Sequence, residues 1–153
     1  ERPARYLNHE FGCVYKPVAD FRFCMMYPDT YELGQANQAL RILVNVVNAV
    51  DGMVAERAFL PAAEFCDTMR AEGLPLFSIE SCAPVAEFDA IGITLSHELV
   101  ATNVLEALDL AGIPLHAQDR GEAAAYPAIR RITPAKRART ANRPMTKPSR
   151  PWL

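Results

Sequence analysis

The stretch FDAIGITLSHELVATNVLEALDLAG, residues 88–112, is the part of the chain that best indicates how it folds. Within it, residues 90–95 form a short apolar run typical of a strand buried in a parallel sheet. Ser96-His97-Glu98 interrupt that run, and a helical pattern of leucines among small and acidic residues follows. A strand, a polar turn and a helix make half of a βαβ unit. Because ligands of open α/β sheets bind at the carboxyl ends of strands, the polar turn lies where a site is expected.

The rest of the chain shows the same alternation of strand and helix signals. These signals predict strands at Phe21–Tyr27 and Met53–Phe59, a short extended run at 76–79, helices at 35–50 and 62–72, and a loop at 30–34. Short connections favour an α/β fold with a doubly wound, mainly parallel sheet of flavodoxin-like or cobalamin-binding-like type. The first strand and the 90–95 strand are expected to be neighbours, with the 53–59 strand outside them.

The predicted 35–50 helix carries an apolar stripe. Its members recur at intervals of three and four residues: Ala36, Ala39, Leu40, Leu43, Val44 and Val47. The β-branched residues in this segment lower its intrinsic helix propensity, so packing of the stripe must stabilise the helix. We therefore expect this face to be buried against the sheet.

Charge is distributed unevenly along the chain. Residues 1–129 hold 18 acidic and 8 basic side chains, whereas residues 130–153 hold 8 basic and no acidic ones. The segment 123–153 is also rich in proline and lacks apolar periodicity, so we predict a domain over residues 1–122 followed by a disordered basic tail. Eight cations would bind phosphates without sequence preference, but Trp152 is the sole aromatic residue of 130–153, which argues against a nucleic-acid site.

The four cysteines, Cys13, Cys24, Cys66 and Cys82, match neither Cys-x-x-Cys nor zinc or iron–sulfur spacing. They are expected to be reduced structural thiols, so no metal site is predicted. No apolar run is long enough to span a membrane and no secretory signal is visible, so a cytoplasmic location without a membrane partner is expected.

Two groups of residues are candidates for a ligand-binding or cofactor-binding crevice. They follow the first and the last predicted strand: Asp29, Tyr31, Glu32 and Gly34, then Ser96, His97, Glu98, Thr102 and Asn103. Gly34 would open the N-terminus of the next helix, where an anion could meet unpaired N–H groups. The alternatives are a turn with a helix-capping acid and an ordinary surface loop. Ser78, Glu80 and Ser81 are weaker candidates of the same kind. No Gly-rich phosphate motif or catalytic triad is present, so no catalytic residue is predicted.

Three runs of the chain together resemble the N-terminal region of a radical SAM protein family that has a cobalamin-binding-like, Rossmann-like domain. They are RFCMMYPDTYELGQANQAL, AERAFLPAAEFCDTMRAEGLPLFSIES and FDAIGITLSHELVATNVLEALDLAGIPL, in the order and spacing of that family. The resemblance covers residues 3–122. It implies an accessory domain that precedes a radical SAM barrel, in the same or a neighbouring polypeptide, and that positions substrate or cofactor over it.

The resemblance also limits what this chain is expected to do. The cluster motif Cys-x-x-x-Cys-x-x-Cys is absent, so a [4Fe–4S] cluster and S-adenosylmethionine are expected only in full-length family members, and this chain alone should be inactive. The cobalt-ligating motif Asp-x-His-x-x-Gly is absent too, which leaves cobalamin as a candidate only without a protein ligand. We interpret 123–153 as a truncated or out-of-frame end, so the chain would be a fragment. A stand-alone binding or protein-interaction module is the alternative.

Overall fold

The computed structural model of the protein describes residues 13–120. Three strands are present there: β1 (Phe21–Tyr27), β2 (Met53–Phe59) and β3 (Ala90–Ile93). The four α-helices are α1 (Tyr31–Gln35), α2 (Gln38–Asn48), α3 (Ala63–Glu72) and α4 (Ala101–Leu110). Within this range, no helix combines the length and the apolar character needed to cross a membrane. The predictions for segment 123–153 lie outside the described residues.

The three strands run parallel in one sheet with the order β2-β1-β3. β1 pairs with β2 along its whole length, from Phe21 opposite Met53 to Tyr27 opposite Phe59. β3 pairs with the other side of β1. The predicted α/β class and parallel sheet are therefore confirmed. The prediction that the strand near residue 90 neighbours the first strand, with 53–59 outside them, is confirmed as well.

Successive side chains of β1 point to opposite faces of the sheet. Helices cover both of these faces. Cys24 and Met26 are fully buried on the face that α3 and α4 cover. Met25 points to the other face, into a smaller core with Leu40 and Val44 of α2. This doubly wound arrangement is consistent with a flavodoxin-like fold. Winding reverses direction at β1, so the topological switch point lies between β1 and β3.

The helices between β1 and β2 begin and end differently from the prediction. The predicted loop 30–34 lies almost wholly in α1, a helix of five residues. The predicted helix 35–50 begins only at Gln38, because the Asn37 side chain accepts the Leu40 N–H at 3.0 Å and so caps a new helix there. A polar capping residue inside an otherwise helical pattern thus divides one predicted helix into two.

The apolar stripe predicted for this helix is only partly buried. Leu40 and Val44 are buried and Val47 is half-buried. The other three predicted members are exposed to solvent: Ala36, Ala39 and Leu43. The reason is the position of α2, which packs mainly against β2 at one side of a narrow sheet and so buries only a thin line of residues.

Two further segments differ in detail. Residues 76–79 do not form a sheet strand: Phe77 makes one isolated antiparallel bridge with Pro84, and the segment otherwise runs beside β2 as irregular chain. β3 ends at Ile93 instead of residue 95. A 3-10 turn over Glu98–Val100 then precedes α4, which begins at Ala101.

Gly34 occupies a position where no side chain fits. It is buried in α1, and a Cβ atom built on it would overlap the ring of Phe59 and lie 3.1 Å from Tyr27 Cβ. The Phe59 ring is buried and packs edge-on against Tyr31, so it has little freedom to move. We expect Gly34→Ala to lower the free energy of unfolding by about 1–3 kcal/mol in urea denaturation. Adding Phe59→Leu should recover part of that loss, and a double variant whose loss is the plain sum would contradict the overlap.

Candidate functional site

Side-chain hydrogen bonds join the carboxyl end of β1 to the chain that follows β3. The Ser96 hydroxyl donates to Tyr27 Oη at 3.2 Å, and Asn103 Nδ2 donates to Pro28 O at 3.0 Å. Because this is the switch point of the sheet, it is the place where a doubly wound fold binds its ligands. We call residues 28–32 together with 94–103 the rim. Both groups of predicted site residues, apart from Gly34, lie on it.

On the β1 side of the rim, Asp29 organises the turn. Its Oδ1 accepts the Thr30 N–H at 2.7 Å, and its carbonyl oxygen accepts the Leu60 N–H at 3.0 Å. The carboxylate therefore shapes the turn that leads into α1, which agrees with the turn of the alternative, but it does not cap the helix, whose N-cap is Thr30 without a side-chain cap. Tyr31 packs its ring against Phe59, with the centroids 5.4 Å apart.

The prediction that Gly34 opens a helix N-terminus toward a ligand is wrong. Gly34 is the fourth of the five residues of α1, and its N–H donates to Thr30 O at 3.0 Å inside that helix. The N-terminus of α2 is capped by Asn37. Gly34 is needed because of the Phe59 ring, and the absence of a side chain allows that close packing.

On the β3 side, the rim is exposed. Ser96, His97, Glu98 and Thr102 are exposed, and Asn103 is half-buried beneath them. Two leucines beside these polar residues are unusually exposed: Leu95 is 64% and Leu99 is 80% accessible. This side of the rim therefore presents both hydrogen-bonding groups and apolar surface.

A small pocket lies next to the rim at the end of β2. Tyr31 and Glu32 line one side of it, and Phe59, Pro61 and Phe77 line the other. Glu32 is the one charged residue among those that line it. The pocket is mainly apolar, so it suits an apolar side chain better than a polar cofactor.

Glu56, in the middle of β2, is the centre of a buried polar network that was not predicted from the sequence. It is 1% exposed, and its Oε2 accepts bonds from the Ser78 hydroxyl at 2.6 Å and from the Ser81 hydroxyl and N–H. Its Oε1 accepts from Arg22 Nη2 at 2.9 Å. The Arg22 guanidinium in turn lies 4.5 Å from the centre of the Phe88 ring. The network is well satisfied, as a buried carboxylate requires.

The neighbouring residue, Arg57, forms a second network on the opposite face of the sheet. Its N–H and Nε donate to the two carboxylate oxygens of Glu80 at 2.7 and 2.6 Å. Its terminal nitrogens donate to Gln35 Oε1 at 2.7 Å and to Cys13 Sγ at 3.1 Å. Arg57 is 7% and Glu80 6% exposed, so this is a buried ion pair.

These two networks account for the weaker site candidates. Ser78, Glu80 and Ser81 all bond to β2, so they attach the irregular segment 76–81 to the sheet. The signal that could have revealed the networks is the adjacent pair Glu56-Arg57 inside the apolar strand MVAERAF. Two charged residues in a buried strand need partners, and the nearby polar run Ser78 to Ser81 provides them.

Glu80 should make stability depend on pH. Burial raises the pKa of its carboxyl above the ordinary value of 4.5, and the charge of Arg57 opposes this only in part. The native state then retains a proton that the unfolded state releases. The contribution of Glu80 is therefore fully present below the unfolded pKa and is lost as pH rises through the raised native pKa.

Glu80→Gln removes this titration, and the difference between the two proteins isolates it. We expect the free energy of unfolding of the wild type, minus that of Glu80→Gln, to decrease as pH rises from below the ordinary carboxyl pKa of 4.5 through the raised native pKa. Urea denaturation at several pH values measures this difference. A difference that rises with pH would mean that the ion pair with Arg57 outweighs burial.

Cys24 and Cys66 are buried thiols that form no disulfide. Burial raises the pKa of the Cys24 thiol, and the Glu80 and Glu56 carboxylates raise it further. Burial likewise raises the pKa of Cys66. Both thiols are therefore protonated and serve as packing groups. Across residues 13–120, no group of three or more His, Cys, Asp or Glu side chains is arranged to hold a metal ion.

Comparison with known proteins identifies the family to which this chain belongs. A family model described as "Radical SAM proteins, N-terminal" matches residues 39–131, which is more than half of the chain. The chain belongs to this family. No curated protein and no solved structure matches it. The resemblance to radical SAM N-terminal regions is thereby confirmed, while the cobalamin-binding-like identity stays a prediction.

The extent of the match bears on the domain. In this radical SAM N-terminal domain the matched part starts at residue 39, in α2, and includes β2, β3 and the β3 side of the rim. It continues to residue 131, whereas the predicted domain ended at 122. The family therefore includes chain that follows α4.

Proposed function

We propose that this radical SAM N-terminal domain is a non-catalytic accessory domain whose rim contacts a radical SAM catalytic domain and helps to position substrate or cofactor there. The catalytic domain would lie in the same or a neighbouring polypeptide. The single observation that carries the proposal is the rim itself: in a chain of this family, hydrogen bonds join the carboxyl end of β1 to the chain after β3, and the β3 side of the rim is exposed with both apolar and polar groups.

The exposed leucines of the rim support a contact surface. Leu95 and Leu99 lie on either side of Ser96, His97 and Glu98, so a partner could bury apolar area and satisfy polar groups at one place. Burying one leucine contributes roughly 1.5–3 kcal/mol, so two such residues add substantially to binding. Apolar residues surrounded by polar ones are typical of protein interaction sites.

The chemistry of the rim supports an accessory role. The Ser96 hydroxyl donates to Tyr27, and within the described chain it makes no hydrogen bond to His97 that could activate it as a nucleophile. The sequence has no Cys-x-x-x-Cys-x-x-Cys motif, so the catalytic domain would supply the ligands of a [4Fe–4S] cluster and the site for S-adenosylmethionine. This chain would contribute shape and contacts.

An association measurement tests the proposal. The chain is titrated with the catalytic domain of a radical SAM protein that carries both domains, and Kd is measured by calorimetry. We expect Leu99→Asp to weaken binding by about tenfold or more, since a leucine that the catalytic domain would bury is replaced by an unpaired charge. Leu43→Asp is the matched control, because Leu43 is also exposed, at 47%, but lies on α2 away from the rim.

The outcomes separate the possibilities. If Leu99→Asp weakens binding and Leu43→Asp does not, the rim is supported as the contact surface. Weaker binding by Leu43→Asp alone would place the contact on α2 and overturn the role of the rim. Wild-type protein that does not bind the catalytic domain would overturn the accessory role and favour the alternative of a stand-alone interaction module.

Cobalamin is the cofactor that the family resemblance suggests for the rim. The residues do not fit cobalamin held by a protein ligand, because the cobalt-ligating motif is missing and His97 is a surface residue. Binding without such a ligand would raise the free energy of unfolding by roughly 2.7 kcal/mol at 100 times Kd. An unchanged melting temperature at millimolar cobalamin would exclude cobalamin as a ligand and leave only the proposed contact with the catalytic domain.

A further inference from the structure

The two faces of the sheet are covered by different numbers of helices. On one face, α3 and α4 lie next to each other and pack on Cys24 and Met26 of β1. On the other face, α2 is the one long helix in the part of the chain that the structure describes, and it packs mainly against β2. Neighbouring strands lie about 4.8 Å apart and packed helices about 8–10 Å apart, so a sheet of three strands is wide enough for two helices. Within residues 13–120, this second face therefore has space for one more helix, over β1 and β3.

Half-buried aromatic residues mark the uncovered part of this face. Phe21 and Phe23 of β1 point to it, with their ring centroids 6.5 Å apart, and neither is fully buried. Gly92 of β3 is also half-buried, and the Phe23 ring lies so close that a Cβ on Gly92 would be 2.8 Å from it. We call Phe21, Phe23 and Gly92 the open face. Because parallel sheets are normally covered on both faces, further protein is expected against it.

The apolar surface of α2 is wider than its own sheet can cover. Leu40 and Val44 form the line that is buried against that sheet. The exposed apolar residues of α2 follow around the helix from this line almost to the opposite side, and we call them the flank: Leu43, Ala39, Val46 and Ile42. Ile42 is 61% and Val46 59% accessible. With 3.6 residues per turn, the apolar arc covers roughly 160°, whereas a helix that packs on one sheet needs about 100°.

The flank points toward the open face. On the polar side of α2, the Asn48 amide donates to Ala55 O at 3.1 Å and accepts from the Ala55 N–H at 2.9 Å, at the outer edge of β2. The flank is on the opposite side of the helix and so faces β1 and β3. Flank and open face together form an apolar corner. This corner lacks charge, because Arg41 is the single charged residue of α2 and lies on its polar side.

We propose that this corner holds the α2 helix of a second copy of the chain, in a dimer with twofold symmetry. The corner fits a helix that is apolar on two sides, since one side would contact the flank and the other the open face. α2 is such a helix. A twofold axis would place each α2 on the open face of the other copy, so both copies bury the same surface. No like charges would meet there, because the corner has none.

This arrangement accounts for the direction of each part of α2. Leu40 faces its own sheet, Val46 would face the α2 helix of the second copy, and Ile42 would face the open face of that copy. Asn48 stays at the outer edge of β2, away from the dimer contact. The inference is independent of the proposed function, because the rim lies at the carboxyl ends of the strands and not on this face.

Sedimentation equilibrium of the full 153-residue chain, from about 1 µM to about 1 mM, tests the dimer. We expect the wild type to reach twice the mass of one chain as its concentration rises. Val46→Asp should raise the dimer Kd by at least about tenfold, because it places an unpaired charge in an apolar contact. Leu105→Asp is the matched control and should leave Kd unchanged. Leu105 is also exposed, at 50%, but lies on α4 on the opposite face of the sheet.

A mixture of two variants tests whether α2 packs against α2. Val46→Lys alone should weaken the dimer as Val46→Asp does. An equimolar mixture of the two should associate more tightly than either alone, because a twofold contact between the α2 helices brings position 46 of both copies into one interface, where opposite charges attract. If position 46 contacted a different surface of the second copy, mixing would give no recovery.

Each result supports or overturns the proposal. Association that Val46→Asp weakens, Leu105→Asp retains and the mixture recovers supports it. A wild type that stays monomeric at about 1 mM overturns it, and so does a dimer that Val46→Asp leaves unchanged, that Leu105→Asp weakens equally, or that the mixture does not recover. If Val46→Asp unfolds, intermolecular nuclear Overhauser contacts between Ile42 or Val46 and the Phe23 ring, in mixed labelled and unlabelled wild type, decide. Their absence overturns the proposal.

Discussion

Arg57→Met is expected to lower the free energy of unfolding by about 3–5 kcal/mol. The substitution keeps an unbranched apolar stem, but it removes the guanidinium that donates to Glu80 at 2.6 Å. Glu80 is 6% exposed, so its carboxylate would be left buried without its cation. Urea denaturation at neutral pH measures the loss. The expected loss is a large fraction of the unfolding free energy of a typical domain, which is roughly 5–15 kcal/mol.

Arg70→Met is the matched control for this prediction. Arg70 donates to Glu106 at 2.7 Å and to Asp109 at 3.2 Å, whereas the Arg57 guanidinium contacts one carboxylate of the described chain, that of Glu80. The Arg70 side chain is 40% exposed, however, and an exposed ion pair contributes only about 0–1 kcal/mol. Equal losses in the two variants would contradict the view that burial makes the Arg57 pair important.

Phe88→Ala is expected to cost about 3–5 kcal/mol of unfolding free energy. Phe88 has no solvent exposure and lies in the larger core with Cys24, Met26 and Ile91. Truncation leaves a cavity where the ring was and removes the contact with the guanidinium of Arg22, 4.5 Å from the ring centre. Thermal and urea unfolding both measure the change.

Leu105→Ala serves as the control for Phe88. Leu105 lies in α4 but is 50% exposed, so its truncation should change stability by only about 0.5 kcal/mol. Phe88→Leu should fall between the two, because it keeps part of the buried volume. If Phe88→Ala lost no more than Leu105→Ala, position 88 would not be part of the core.

The strands were predictable because their signal is local. FRFCMMY is a bulky apolar run that ends at Pro28, and MVAERAF ends shortly before Pro61, so both strands were predicted with the bounds they have. The helices were predicted less well. Asn37 is an ordinary polar residue in a helical pattern until its side chain is seen to accept the Leu40 N–H and so to start α2.

The rim was predictable in part for a topological reason. Parallel strands place their carboxyl ends at the same edge, so Asp29 and Ser96 were expected near each other once their strands were expected to be neighbours. The bonds of Ser96 to Tyr27 and of Asn103 to Pro28 could not be foreseen, because they depend on side-chain positions set by packing. The role of Gly34 was missed for the same reason, since only the folded chain brings Phe59 against it.

By itself, the sequence determined the alternation of strands and helices, the parallel α/β class and the relation to radical SAM N-terminal regions. These depend on local composition and on the order of motifs. Only the tertiary structure decided which charges are paired, which stripe of α2 is buried and which sheet edge is covered. Glu56 and Arg57 are adjacent but face opposite sides of the sheet, and Glu80 lies 23 residues from Arg57. The interaction energies of these charges depend on burial and on distances of a few ångströms, which arise only when the chain is folded.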